Sequence, residues 1–317
     1  MTDIRFGTFL GGHPPAAQWA LVRRVETLGF DSVWTGDHVS FHNPIYESLT
    51  LLATYASITT RIKLGTGVFL LALRHPTIAA KVTSTLDALS GGRLIFGVGV
   101  GGENPKEFEA SGIPHRERGA RVDEGLDVVR ALWRDSPATF RGRFTSFEGV
   151  SIDPKPVQAP PPIWLGGRSD AALARAGRKG DGWMSYVVTP ERYAASLDRI
   201  RAAAAGAGRS LEGFVTAHLT FVTIGRDHEA ARATWTRILS KRYAQDFTPL
   251  AGRYGVLGTP AQVIEQLERF AAAGCGYFVL NAICDPEDEG EQLEALAAEV
   301  VPHFRGRPAF SPLATGA

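Results

Sequence analysis

Cysteine is scarce: Cys275 and Cys284 are the only two in 317 residues. They show no C-x-x-C spacing, which argues against both a zinc ribbon and a disulfide framework. A dominant charge is missing too. Lys and Arg number 34 against 33 for Asp and Glu, so there is no electrostatic footprint for nucleic acid or an anionic membrane surface. No apolar run approaches the ~18 residues of a spanning helix. No basic segment followed by an apolar stretch opens the chain. The expectation is a soluble, cytoplasmic protein with a small-molecule substrate and neither nucleic acid nor membrane as partner.

What is present is apolar residues at 44%, 35 glycines and a recurring layout of strand, polar mouth and amphipathic helix. Strands are expected at 4–10, 32–35, 62–68, 94–98, 163–165, 182–186, 214–224 and 277–280, most of them rich in Val, Ile, Leu or Phe. Such strands fit a parallel sheet buried on both faces. Helix-spaced apolar residues follow each one, as at Leu21, Val25 and Leu28, or at Val263, Leu267 and Phe270. Thr259-Pro260 reads as a helix cap with proline in the first turn. Eight such units predict a (β/α)8 TIM barrel, with insertions after strands 4 and 7. The first contains a hairpin over 140–152, and the second a helix plus loop over 227–257. Residues 1–305 are expected to form one domain and 306–317 a disordered tail.

The chain is organised around Ser90 to Phe108, SGGRLIFGVGVGGENPKEF. Gly97 to Gly102 fits the dinucleotide pattern G-x-G-x-x-G. That pattern carries weight only after a first strand and directly before a helix. Asn104-Pro105 and Gly112-Ile113-Pro114 follow here, so no clean helix is expected before about Glu117. A barrel strand opening into glycine is the preferred reading, since it leaves room for a large flat group.

Barrel enzymes keep their chemistry at the C-terminal ends of the strands. That rule selects His13, Asp37-His38, Gly67-Val68, Gly101 to Glu103, Gly166 to Ser169, Tyr186, His218 and Asn281. His38 is a general acid–base candidate with an unperturbed pKa of ~6.5, or else a structural histidine. His38 and His42 are four apart, but Asn43-Pro44 opposes a helix that would pair them on a metal. Gly166-Gly167-Arg168-Ser169 suits a phosphate, with bare N–H groups, a guanidinium and a helix start together, or is a plain capped turn. Gly65-Thr66-Gly67-Val68 suggests close approach by a ligand. Glu103 is a second acid–base candidate or a solvated charge. Phe247, Leu250, Tyr254 and Val256 suggest a lid over an apolar compound.

Trp34-Thr35-Gly36-Asp37-His38, Arg61 to Val68, His75-Pro76, Leu89 to Gly101, Gly166-Gly167, Gly180 to Trp183 and Gly258-Thr259-Pro260 resemble the bacterial luciferase-like oxidoreductases that use flavin or deazaflavin. The likeness covers nearly the whole chain, and the Asp-His ending of strand two resembles the branch using coenzyme F420. The resemblance implies Asp37 and His38 beside the cofactor ring and a cis peptide at Gly67-Val68 behind it. It also implies Leu70, Val100 and Gly101 along the cofactor and Gly166, Gly167 and Arg168 at its phosphate. His38, with Glu103, would carry the proton chemistry. Two departures stand out. Gly102 occupies the place where sugar-phosphate dehydrogenases of this branch carry a glutamate, and Leu70 stands where a hydroxyl is expected. The resemblance further implies a homodimer and a separate reductase or dehydrogenase supplying reduced cofactor. An FMN-dependent monooxygenase and a non-catalytic flavin-binding barrel are the alternatives.

Overall fold

The computed structural model describes residues 3–309. Packing divides the chain into two compact units, Met1–Trp34 with Gly167–Ala317, and Thr35–Gly166.

In chain order the first unit begins with β1 (Arg5–Phe9), α1 (Pro15–Thr27) and all but the last residue of β2 (Ser32–Thr35). The second unit carries α2 (Ser48–Ile58), β3 (Lys63–Thr66), β4 (Phe69–Leu70), α3 (Pro76–Ser90), β5 (Leu94–Gly99), α4 (Pro105–Ala110) and α5 (Arg118–Arg134). It ends with the antiparallel pair β6 (Ala138–Arg141) and β7 (Ser146–Val150), then β8 (Ile163–Gly166). The first unit resumes with α6 (Asp170–Lys179), β9 (Gly182–Tyr186), α7 (Pro190–Gly206), β10 (Val215–Ile224), α8 (His228–Tyr243) and α9 (Thr248–Tyr254). It closes with β11 (Val256–Gly258), α10 (Pro260–Ala272), β12 (Tyr277–Ala282), α11 (Glu289–Ala295) and α12 (Val301–Phe304).

The ladder runs β1-β2-β3-β5-β8-β9-β10-β12, and β12 pairs with β1, giving a closed parallel barrel of eight strands. Strand β4 adds to β5, and β11 to β10. The insertions follow the fourth and seventh barrel strands, as the sequence predicts.

Each unit has its own aromatic core. In the first, Phe6 stacks on Phe278 at 5.5 Å and Phe304 tilts against Phe6 at 5.5 Å. In the second, Phe69 lies 5.3 Å from Phe96, whose ring meets the edge of Trp133 at 6.1 Å. The Trp133 indole N–H donates to the Ala80 carbonyl at 3.1 Å, so its one polar atom is satisfied in the core.

Local signals set the helix ends. Pro76 opens α3, and Gly91 closes it with φ +67°, a left-handed cap that glycine adopts without a side-chain penalty. Thr259 and Gln262 form a reciprocal capping box on α10.

Three expectations need correction. Helix α4 lies where no helix was expected before Glu117: Asn104 caps it through Lys106 N–H, and Pro105 takes the first turn. Residues 306–309 of the expected tail are ordered, since Ile4 N–H donates to Arg307 O at 3.1 Å and Asp3 bridges Pro308. Residues 310–317 lie outside the described residues. Phe247 and Val256 do not form a free lid. Phe247 packs on Trp235 and Tyr243 at 5.8 and 5.2 Å, and Val256 pairs with Val222.

Candidate active site

The chain leaves β2 into Gly36-Asp37-His38. The Asp37 carboxylate is buried and accepts from Leu70 N–H at 2.8 Å. It also takes both terminal nitrogens of Arg74 at 2.7 Å each. Burial pushes the Asp37 carboxyl up from its ordinary range, against the pull of Arg74 and of the Leu70 N–H. Arg74 covers the Phe69 ring at 4.7 Å. Asp37 therefore pins the end of β2 to the segment that follows the cis peptide Gly67-Val68.

His38 is held from α4. Glu107 is fully buried, and its Oε1 accepts from Val39 N–H at 2.6 Å and Ser40 N–H at 3.1 Å. Its Oε2 and Oε1 lie 3.2 and 3.3 Å from His38 Nδ1. An ionised carboxylate only accepts, so the contact is a hydrogen bond when Nδ1 carries the proton. Asn104 Nδ2–H donates to Ser40 O at 3.0 Å, latching the start of α4 to the same loop. Phe41 stacks on the His38 ring at 4.2 Å and fixes its plane.

Val68 sits on a glycine floor. A Cβ on Gly99 would meet Val68 Cγ2 at 2.3 Å, and one on Gly166 would meet Val68 Cγ1 at 2.7 Å. No other residue type leaves that space. Gly101 follows β5 with φ +65°, beside Leu70 and Phe108. Val68 and Leu70 thus fill the space that side chains at Gly99, Gly166 and Gly101 would take. His38 lies in the same unit. Val100 is half-buried, and Glu103 is exposed on the loop before α4.

Gly167, with φ +116°, accepts the Trp183 indole N–H at 2.8 Å. Ser169 caps α6 through Ala172 N–H at 3.3 Å. Arg168 donates to Val187 O at 2.5 Å and lies over the Tyr186 ring at 5.2 Å.

Two members of the strand-end list are engaged elsewhere. His218 lies in mid-β10, buried, with Nδ1 at 2.7 Å from Ser185 Oγ and its ring stacked on Phe270 at 4.2 Å. Burial lowers its pKa to about 3, so it is a neutral core histidine. His13 pairs with Glu289, which raises the His13 pKa. Asn281 is buried within β12. The sequence reading missed Glu107 and Arg74. The run Asn104-Pro105-x-Glu107 carried a signal for the first, an N-cap, a proline at the first helical position and an acid two residues on. Nothing local marks Arg74.

The closed parallel barrel carries Asp37-His38 where the chain leaves its second strand. The family model described as Luciferase-like monooxygenase matches residues 4–276, and the chain belongs to that family. An uncharacterized protein of Mycobacterium tuberculosis is 35% identical over 180 residues, 54% of this chain, and the chain spans 62% of that relative's length. A putative coenzyme F420-dependent oxidoreductase of the same species is 36% identical over 241 residues, 71% of this chain and 67% of the relative. The crystal structure of a monooxygenase from Streptomyces bottropensis superposes with a TM-score of 0.83 at 26% identity, covering 95% of this chain and all of that one. Among the described residues no helix is long and apolar enough to cross a membrane.

Proposed function

We propose that this luciferase-like oxidoreductase depends on coenzyme F420 and moves a hydride between the deazaflavin and a small organic substrate. The observation that carries the reading is His38, held through Nδ1 by buried Glu107 so that Nε2 is available. The F420-dependent relative supports the choice of cofactor. When bound, the deazaflavin supplies or accepts the hydride at its ring carbon. Val68 and Leu70 would support the ring and Gly101 its side chain, while Gly166, Gly167 and Arg168 are the candidates for its phosphate. In the oxidising direction the substrate loses a hydride from carbon and a proton from its adjoining O–H or N–H, and His38 Nε2 takes that proton. In the reducing direction protonated His38 returns it.

The reading is tested with His38→Asn, assayed with F420 against a panel of alcohols and carbonyl compounds. Cofactor binding is expected to persist while turnover falls about 100-fold or more. Unchanged turnover would remove His38 from the chemistry. The likeness to a monooxygenase structure favours a second reading, an FMN enzyme fed reduced flavin by a separate reductase. Oxygen consumption with reduced FMN and substrate would identify it.

We also propose a homodimer. Ile78, Val82 and Leu89 are exposed on α3 at helical spacing that puts them on one face, and their apolar surface suits a second copy of the chain.

A further inference from the structure

We infer that Glu107 is a positioning residue that sets the tautomer of His38. Both of its oxygens face His38 Nδ1, Oε1 at 3.3 Å and Oε2 at 3.2 Å. Oε1 also accepts from Val39 N–H at 2.6 Å and Ser40 N–H at 3.1 Å. Glu107 has no exposed surface, so solvent does not compete for either oxygen. A carboxylate so placed accepts Nδ1–H and leaves the neutral ring with a lone pair on Nε2, the state a proton acceptor needs. Helix α4 fixes Glu107 in turn, since Asn104 caps the helix and donates to Ser40 O at 3.0 Å.

The same geometry dictates an unusual consequence for Glu107→Gln. The two backbone N–H groups require an acceptor at the Oε1 position, so the glutamine carbonyl must take it. The amide nitrogen then falls where Oε2 was and presents N–H to His38 Nδ1. That donor at 3.2 Å, with the carbonyl at 3.3 Å already shared by two backbone N–H groups, favours Nδ1 as acceptor and the proton of the neutral ring on Nε2. The substitution is nearly isosteric and keeps both backbone bonds, yet it inverts the tautomer.

The catalytic consequence rests on the function proposed above, but the tautomer does not. Histidine-selective 15N NMR of the cofactor-free protein under alkaline conditions, assigned with His38→Asn, reads which ring nitrogen carries the proton. The wild-type protein is expected to show Nδ1–H, and Glu107→Gln to show Nε2–H. Turnover in the oxidising direction is expected to fall about 1,000-fold in Glu107→Gln with KM changed little, because a wrong tautomer removes the base. Glu107→Asp keeps an acceptor and is expected to keep Nδ1–H. A wild-type spectrum with Nε2–H, or a Glu107→Gln spectrum still showing Nδ1–H, would overturn the inference. The wild-type spectrum alone decides its first half if the variant does not fold. An inverted tautomer with undiminished turnover would uphold the positioning of His38 and refute its proposed role as base.

Discussion

Gly99→Ala is the sharpest perturbation of the surface around Val68. Gly99 closes β5, and its φ lies outside the left-handed region, so an alanine backbone is allowed there. The obstacle is contact alone. The new Cβ would lie 2.3 Å from Val68 Cγ2 and 3.4 Å from Val68 Cβ. Carbon atoms in good contact are about 3.5–4.0 Å apart, so the γ carbon must retreat by roughly 1.2 Å or more. Retreat is restricted on the other side, where Val68 also lies close against Gly166. Overpacking of this kind costs about 1–3 kcal/mol. Replacing glycine restricts the unfolded chain and offsets about 0.4–1 kcal/mol of that. The net expectation is a loss of about 1–2 kcal/mol in urea unfolding. Val68→Ala deletes both γ carbons and leaves the new Cβ at 3.4 Å from the Cβ of residue 68, an ordinary contact. In Gly99→Ala/Val68→Ala the first substitution should therefore cost almost nothing, a coupling of about 1–2 kcal/mol for residues in contact. Unfolding midpoints of the four proteins measure it. Additive effects, or a Gly99→Ala protein as stable as the wild type, would refute the account of why glycine stands there.

Burial of His218 gives a pH dependence of definite sign. Its folded pKa of about 3 lies below the ordinary histidine value, so the unfolded chain binds the extra proton first as pH falls. Its contribution is complete above the unfolded value of ~6.5 and declines by about 1.4 kcal/mol per pH unit below it, until pH nears the folded value. His218→Gln should flatten the stability profile between pH 6 and 4 in denaturant titrations on the order of that slope, and an unchanged slope would count against the account. His13 has the opposite sense. Its pairing with Glu289 raises its pKa, so the contribution is full below the ordinary value and fades as pH rises through the folded one. The melting temperature of Glu289→Gln should accordingly approach that of the wild type as pH rises, and a gap that widens would contradict the pairing. For the exposed face of α3, light scattering should report a dimer that Val82→Glu shifts toward monomer, and a wild-type monomer would remove the proposal.

Signals confined to a few neighbouring residues were legible. Thr259-Pro260 started a helix, because caps depend on backbone within one turn. The eight strands were legible because each carries an apolar run bounded by glycine or a polar mouth. His218 was misplaced because β10 is ten residues long, so a residue read as strand end sits in mid-strand among the side chains of α7 and α10. Asn104-Pro105 was read as a break because proline stops helices more often than it is recognised as starting them. That reading hid α4 and with it Glu107. The Asp37–Arg74 pair was invisible for a different reason: it forms between residues 37 apart, and nothing near either one announces the other.

Binding of the cofactor tests the central claim most directly. Purified protein titrated with oxidised F420, followed by the change in its fluorescence, should saturate at one cofactor per chain. FMN titrated in parallel should bind more weakly. Tight FMN binding with no response to F420 would contradict the deazaflavin assignment.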